Sequence, residues 1–168
     1  MRPNPDRVVS YFHGYMALVP EDDLLEAFDN QSASFIRFLQ TIPADRHDFA
    51  YAPGKWTLKE VLQHIIDAER IFGYRALRFA RLDPTPLPGF DENLYVQNAK
   101  SQNRTWDKLV EEFQVLRRSS QLLFQSFDAD QLEAGGTASN GPTYVLGIGY
   151  ILIGHTLHHQ KIMKERYL

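Results

Sequence analysis

The 168-residue sequence contains no cysteine, and this absence excludes several kinds of chemistry. Without cysteine the chain has no disulfides, no thiol nucleophile of its own, no cysteine-based zinc site and no iron–sulfur cluster. Any metal ion that binds must therefore be held by histidine, aspartate or glutamate side chains.

Long hydrophobic runs and a strong excess of one charge are absent as well. The longest apolar stretch, Tyr144–Gly154, contains glycines and is far shorter than the roughly 20 residues that cross a bilayer. Lys plus Arg number 18 and Asp plus Glu number 21, so a basic footprint for nucleic acid is missing. The first residues are polar and lack the apolar core of a secretory signal. We therefore expect a cytoplasmic protein without membrane or nucleic-acid partners.

What is present is helical periodicity. Hydrophobic residues make up 43% of the chain, as in globular proteins, and the length suits a single domain over residues 1–168. Four segments repeat apolar residues with the period of a helix, and none alternates as a half-buried strand does. The predicted helices cover residues 21–42, 57–82, 105–127 and 143–165. These segments predict an all-α four-helix bundle, in which the longer links, 83–103 and 128–142, carry function or cross the bundle.

The start of the second helix has the clearest local signal. Thr57 and Glu60 have the T-x-x-E spacing of a capping box, in which each side chain satisfies a backbone amide of the other residue. We expect the helix to begin at Thr57.

Two histidines interrupt the apolar stripe of the last helix. His155 and His159 fall in register with Ile148, Leu152 and Ile162, on the face expected to be buried. Four residues bring His159 to within about 40° of His155, one turn along. Burying two imidazoles is costly unless both are satisfied, and one shared metal ion would satisfy both. We therefore predict that these two histidines bind one metal ion.

His64 lies on the core side of the second helix and is the candidate third ligand. A lone core histidine more often bonds a carbonyl group, so this prediction depends on the second and fourth helices facing each other. His158, three residues after His155, is the alternative to His159 as second ligand. Asp67 follows His64 by three residues and is either a catalytic base, an orienting group or a solvated charge. Glu69 is expected on the helix surface.

Several sharper motifs are missing. Thr156 stands where zinc proteases of the H-E-x-x-H type carry their general base. The E-x-x-H pairs of di-iron bundles, the dinucleotide fingerprint and the P-loop are absent too. What remains is a site for a single ion.

Five segments together resemble the DinB-like family, a group of bacterial four-helix proteins. They are Tyr11–Pro20, Gly54–Thr57, His64–Arg70, Pro86–Asn93 and Gly154–His159. The resemblance spans nearly the whole chain and implies an up-up-down-down bundle with a long crossover loop. It also implies one divalent ion per chain on His64, His155 and His159, zinc or nickel in the first place and iron or manganese as alternatives. The family includes bacillithiol transferases, while many members have no assigned reaction.

From these observations we expect a metal-dependent transferase that joins a small thiol to an electrophilic small molecule. A divalent ion held by neutral histidines lowers the pKa of a bound thiol or water toward neutrality. A metal-dependent hydrolase is the nearest alternative, and a stress-linked metal- or ligand-binding protein without turnover is another.

Two further segments carry expectations. The loop over 83–103 contains Phe90, Asp91 and Tyr95, which we predict to wall part of a substrate pocket. The segment Tyr11–Met16 is too apolar for a free tail, so it either folds back on the bundle or meets a partner. The family resemblance favours a homodimer.

Overall fold

The computed structural model describes residues 1–168 and is mostly helical. Its elements are α1 (His13–Ala17), α2 (Leu24–Gln40), α3 (Leu58–Ala80), α4 (Glu92–Ala99), α5 (Trp106–Gln125), α6 (Ala129–Glu133), β1 (Gly135–Ala138), β2 (Gly141–Tyr144) and α7 (Val145–Arg166). The long helices α2, α3, α5 and α7 form a four-helix bundle, so the predicted all-α fold is confirmed. None of the helices has the length and apolar character that crossing a membrane requires.

Helix directions follow from contacts between neighbours in the bundle. These are Gln63–Arg104 and Glu69–Arg117 for α3 with α5, Trp56–Tyr167 for α3 with α7, and Phe35–Phe113 and Leu39–Trp106 for α2 with α5. Helices α3 and α5 run parallel, and the other two pairs run antiparallel. Along the chain the order is therefore up, down, down, up, which differs from the up-up-down-down order that the resemblance implied.

The link between the parallel helices α3 and α5 is the predicted crossover, because it must return along the whole bundle. It is more regular than expected: α4 lies within it, followed by a 3-10 turn at Ser101–Asn103. The side chain of Asp91 begins α4 by accepting hydrogen bonds from the amides of Asn93 and Leu94, both at 3.0 Å. Such an eight-residue helix has too little periodicity to stand out in the sequence.

The turn-rich segment before α7 contains a small antiparallel hairpin that we did not predict. Ser139 and Asn140 both have positive φ, 52° and 64°, as a tight two-residue hairpin turn requires. The amide of Leu87 in the crossover donates to the carbonyl of Thr137 at 2.9 Å, which ties the crossover to the hairpin. The sequence did not predict these strands because each has only four residues, including glycine or proline, and shows almost no alternation of apolar and polar side chains.

The predicted capping box at the start of α3 is confirmed. The hydroxyl of Thr57 accepts from the amide of Glu60 at 3.3 Å, and the carboxylate of Glu60 accepts from the amide of Thr57 at 2.7 Å. This cap fixes where α3 begins and thereby sets the position of His64 along the bundle.

The amino-terminal segment folds back onto its own bundle, one of the two predicted outcomes. Met16 is buried, and α1 crosses α7 at Gly154. A Cβ atom added to Gly154 would lie 1.9 Å from the carbonyl oxygen of Tyr15, so only glycine allows this approach. The crossing brings Tyr15 over the residue that follows Gly154, which is His155.

Candidate metal centre

Three imidazoles converge between α3 and α7. The Nε2 atom of His155 lies 3.0 Å from Nε2 of His64 and 3.0 Å from Nε2 of His159. All three ligand nitrogens lie within 4.8 Å of one another, and all three residues are buried. The antiparallel packing of α3 against α7 produces this convergence, because it sets the first third of α3 beside the middle of α7.

Burial keeps these rings neutral at pH 7. Desolvation lowers the pKa of His64 to about 4 and, together with the neighbouring His64 and His158, lowers the pKa of His159 to about 3. The pKa of His155, in the centre, is lowered well below its usual value, again chiefly by burial. A neutral imidazole is the form that binds a metal ion.

The donor set fits a divalent cation. Three neutral rings cannot satisfy one another, since a single N–H···N bond uses one donor and one acceptor and leaves the third nitrogen unmatched. One cation placed among the three Nε2 atoms accepts a lone pair from each ring. No carboxylate belongs to the cluster, so an ion held here would keep its full positive charge.

The cluster forms part of the wall of a cavity of about 510 Å³, a volume suited to a small molecule. Aromatic and apolar side chains line most of it, with three other polar or charged residues besides the histidines. Its lining residues are Val9, Tyr11, Phe12, Tyr15, Trp56, His64, Ala68, Phe72, Arg75, Phe90, Glu92, Ser139, His155 and His159.

Aromatic rings hold the imidazoles in place. Tyr15 meets His155 edge to face with ring centroids 5.5 Å apart, and Trp56 lies 4.9 Å from the ring of His64. Phe12 and Phe72 pack against each other at 5.7 Å on the same cavity wall. These contacts bring the amino-terminal segment and the segment before α3 into the site. The sequence did not predict that Tyr15 and Trp56 belong to it.

The remaining histidine and carboxylate candidates are not among the three converging ligands, although the ring of His158 packs against that of His159 with centroids 5.2 Å apart. His158 is half-buried, packs against the ring of Tyr15 at 5.1 Å, and lies outside the set of three converging nitrogens. Asp67 accepts a hydrogen bond from Gln63 at 2.9 Å and lines a neighbouring cavity beside Arg70 and Asn98. It has no hydrogen bond to any of the three imidazoles.

Of the crossover residues predicted to line the pocket, only Phe90 lines the histidine cavity. Tyr95 packs on Phe90 with ring centroids 5.2 Å apart but faces the neighbouring cavities. Asp91 caps α4. The acidic residue that lines the histidine cavity is the next one, Glu92. Because the link is irregular, its sequence has no periodicity that could show which of Asp91 and Glu92 faces the cavity.

Behind the histidines lies a polar network that is sealed from solvent, here called the closed network, although the Nη1 atom of Arg117 has no hydrogen-bond partner in it. Arg117 donates to both carboxylate oxygens of Glu69 at 2.7 to 3.0 Å and to the hydroxyl of Thr156 at 2.7 Å. The side chains of Glu69 and Arg117 are only 1% and 2% exposed. Our expectation of a surface position for Glu69 was therefore wrong, because α5 covers that side of α3 and brings a cation to it.

Comparison with protein families agrees with this architecture. A family model described as the DinB superfamily matches residues 27–163, which is most of the chain. The chain belongs to the DinB superfamily. The matched region contains the three converging histidines, all of α3 and α5, and most of α2 and α7.

The fold of this DinB-superfamily chain also resembles a solved structure, that of YfiT from Bacillus subtilis. The TM-score is 0.72 at 15% sequence identity, and the match covers 87% of this chain and 89% of YfiT. YfiT is described as a probable metal-dependent hydrolase with an unusual four-helix bundle topology. At this identity the likeness establishes a shared fold. Among curated protein sequences, none matches the chain.

Proposed function

We propose that this chain is a divalent-metal-dependent enzyme that acts on a small molecule in the cavity beside His64, His155 and His159. The observation that carries the proposal is the convergence of three neutral Nε2 nitrogens on the wall of a cavity large enough for a substrate. Membership of the DinB superfamily and the likeness to YfiT support it. A bound divalent ion supplies Lewis acidity and lowers the pKa of a thiol or water that it coordinates.

Within this class we propose thiol transfer to an electrophile as the reaction. The chain has no cysteine, so the attacking sulfur must belong to a second substrate. A new carbon–sulfur bond forms, the leaving group departs with the bonding electrons, and the thiol proton passes to a base. The aromatic and apolar side chains on the cavity wall favour an organic thiol over water as the bound nucleophile.

Glu92 is the group that we propose as this base. Its carboxylate lines the histidine cavity, and its negative charge acts on His64, opposing the effect of burial on the pKa of that ring. Asp67, the carboxylate proposed from the sequence, faces the neighbouring cavity. Glu92→Gln should therefore slow thiol transfer more than Asp67→Asn, by the 10²- to 10⁴-fold typical of a lost general base.

Metal content tests the site directly. Protein reconstituted with zinc or nickel should carry one ion per chain by elemental analysis. Alanine at His64, His155 or His159 should abolish stoichiometric binding, whereas His158→Ala should retain it. Loss of the ion from His158→Ala with retention by His159→Ala would contradict the ligand set.

The reaction is tested with a panel of thiols and a bromoalkyl electrophile, measured on metal-loaded, chelator-treated and His155→Ala protein. Thiol-dependent turnover that requires metal supports the transferase. Metal-dependent ester or amide cleavage without thiol would favour the hydrolase, in line with the description of YfiT. Binding of metal and thiol without turnover would favour a binding protein.

The homodimer stays a prediction. The sequence argument for it rested partly on the apolar segment Tyr11–Met16, in which Met16 is buried against the same chain while Tyr11 is 72% exposed. Light scattering over a dilution series checks the oligomeric state: a mass near 19.4 kDa throughout would contradict the dimer.

A further inference from the structure

Two arginines are buried in this protein, and they differ in their partners. Arg117 is matched by the carboxylate of Glu69 inside the bundle. Arg75 is only 3% exposed and yet has no carboxylate within ion-pair distance. A buried guanidinium without a counter-charge is costly, so such a group is unusual unless something else supplies the anion.

The guanidinium of Arg75 is only partly satisfied by the protein. Its Nη2 atom donates to the carbonyl of Pro88 and to the hydroxyl of Ser139, both at 2.9 Å. Its Nε and Nη1 atoms make no hydrogen bond with the protein, and they are not among the sealed, unpartnered polar atoms of the core. These donors are therefore not sealed in the core; Arg75 lines both the histidine cavity and a neighbouring cavity that Leu87 and Tyr95 also line.

Arg75 shares this cavity with the histidine cluster. It follows His64 by eleven residues on α3, which is three turns plus about 20° and places both on one face of the helix, about 16 Å apart along the axis. Ala68 and Phe72 line the cavity between them. One end of the cavity thus has three metal-ligating nitrogens, the middle is apolar, and the other end has one unpaired cation.

Glu92 lines the same cavity but forms neither an ion pair nor a hydrogen bond with Arg75. Its charge acts on His64 and on Tyr15, whereas the only influence on the Arg75 guanidinium is burial, which lowers its pKa. The Arg75 guanidinium therefore lacks a carboxylate partner within the protein, and an anionic ligand could supply one.

We propose that Arg75 binds the carboxylate of the substrate, and that the substrate is an apolar monocarboxylic acid whose other end reaches the histidines. The guanidinium fork matches the two oxygens of a carboxylate, and its single charge suits a monoanion better than a phosphate dianion. Ser139 and Pro88 orient the fork by holding Nη2. This inference rests on the proposed function only in assigning the reactive end of the substrate.

Calorimetry on the full chain after chelator treatment tests the acid-binding end alone. Octanoate and 1-octanol serve as probes of equal chain length that differ in charge. Wild-type protein should bind octanoate at least about tenfold more tightly than octanol, as a charge-assisted hydrogen-bonded pair predicts. Arg75→Gln should abolish this preference and leave octanol binding unchanged.

Two further variants and one spectroscopic measurement complete the test. Arg118→Gln removes an exposed arginine elsewhere and should keep the full preference, which excludes a net-charge effect. Arg75→Lys should keep only part of it, because lysine offers a point charge without the fork. The nitrogen-15 NMR signal of the Arg75 side chain is assigned as the one that is missing from Arg75→Lys. In wild-type protein, octanoate should shift this signal and octanol should not. This measurement tests the proposal even if the Arg75→Gln variant does not fold.

Equal binding of octanoate and octanol by the wild type would overturn the proposal, as would an unchanged preference in a folded Arg75→Gln variant or an unshifted Arg75 signal. None of these measurements involves metal or turnover. Loss of acid binding would leave the metal-dependent activity standing, and loss of metal binding or activity would leave the Arg75 site standing.

Discussion

The core of this protein contains two polar clusters that use the same pair of helices in opposite ways. In the closed network, Glu69 of α3 and Thr156 of α7 are both bound by Arg117. In the open cluster, His64 of α3 and His155 and His159 of α7 face one another beside a cavity. A buried charge that the protein pairs with an opposite charge is structural, whereas unpaired polar groups on the wall of a cavity are available to a ligand.

The clusters also divide the apolar core. One apolar group surrounds the amino-terminal end of α7 and includes Ile153, and the other surrounds its carboxyl-terminal end and includes Met163. His155, Thr156 and His159 lie in the interval between the two groups. Polar chemistry in the middle of the bundle is thus flanked on both sides by hydrophobic packing that holds it in place.

The largest expected effect comes from breaking the closed network. Arg117→Met leaves the buried Glu69 carboxylate without its cation and should lower the free energy of unfolding by about 3–5 kcal/mol. Denaturant unfolding measures this. The double variant Glu69→Met with Arg117→Met removes both charges and should recover most of the loss; a double variant as unstable as the single one would show that the pair is not the cause.

Metal loading should act on the open cluster alone. At a free ion concentration of 100 times Kd, binding raises the free energy of unfolding by about 2.7 kcal/mol. Thermal melts with and without chelator should show this gain in wild type and in Arg117→Met, but not in His155→Ala. A gain that survives in His155→Ala would mean that the ion binds elsewhere.

The wall of the open cluster depends on Gly154. Its replacement by alanine forces α1 away from α7, because the new Cβ would meet the Tyr15 carbonyl, and should cost about 1–3 kcal/mol. Gly73→Ala is the matched control on a long helix, where a Cβ meets nothing within 4 Å, and should stabilise by about 0.5–1 kcal/mol. Equal effects of the two substitutions would contradict the close crossing.

The metal-free protein should also lose stability in acid through the open cluster. The pKa values of His64 and His159 lie near 4 and 3 in the folded chain and near 6.5 in the unfolded one. Between these values the unfolded chain binds more protons, so the free energy of unfolding falls as pH falls from 6.5 toward 4, by on the order of 1 kcal/mol per pH unit for each such histidine. His159→Leu should reduce the slope; an unchanged slope would assign it to other groups.

The smallest effect is expected at Asp67, which belongs to neither cluster. Burial raises the pKa of this carboxyl, so desolvation makes its ionised form less favourable in the folded chain than in the unfolded one. Asp67→Asn keeps an acceptor for Gln63 and should stabilise by less than about 1 kcal/mol without changing metal content. Loss of the ion from this variant would show instead that Asp67 orients an imidazole.

What the sequence determined by itself is local. Helical periodicity identified the four long helices, the T-x-x-E spacing located the start of α3 at Thr57, and the interrupted apolar stripe singled out His155 and His159. Each of these features follows from the rotation and capping of a single helix, so neighbouring residues carry all the information. Residues in irregular links have no such period, which is why Asp91 rather than Glu92 was assigned to the pocket.

Only the tertiary structure decided which helices face each other. The up, down, down, up order sets α5 parallel to α3 and buries Glu69 against Arg117, although the sequence around Glu69 looks like a solvated surface. The same packing brings Tyr15 over His155 and leaves Arg75 without an anion. Partners far apart in the chain meet only through packing, and whether a buried charge is matched depends on those partners. The division into a closed network and an open site is therefore a property of the fold.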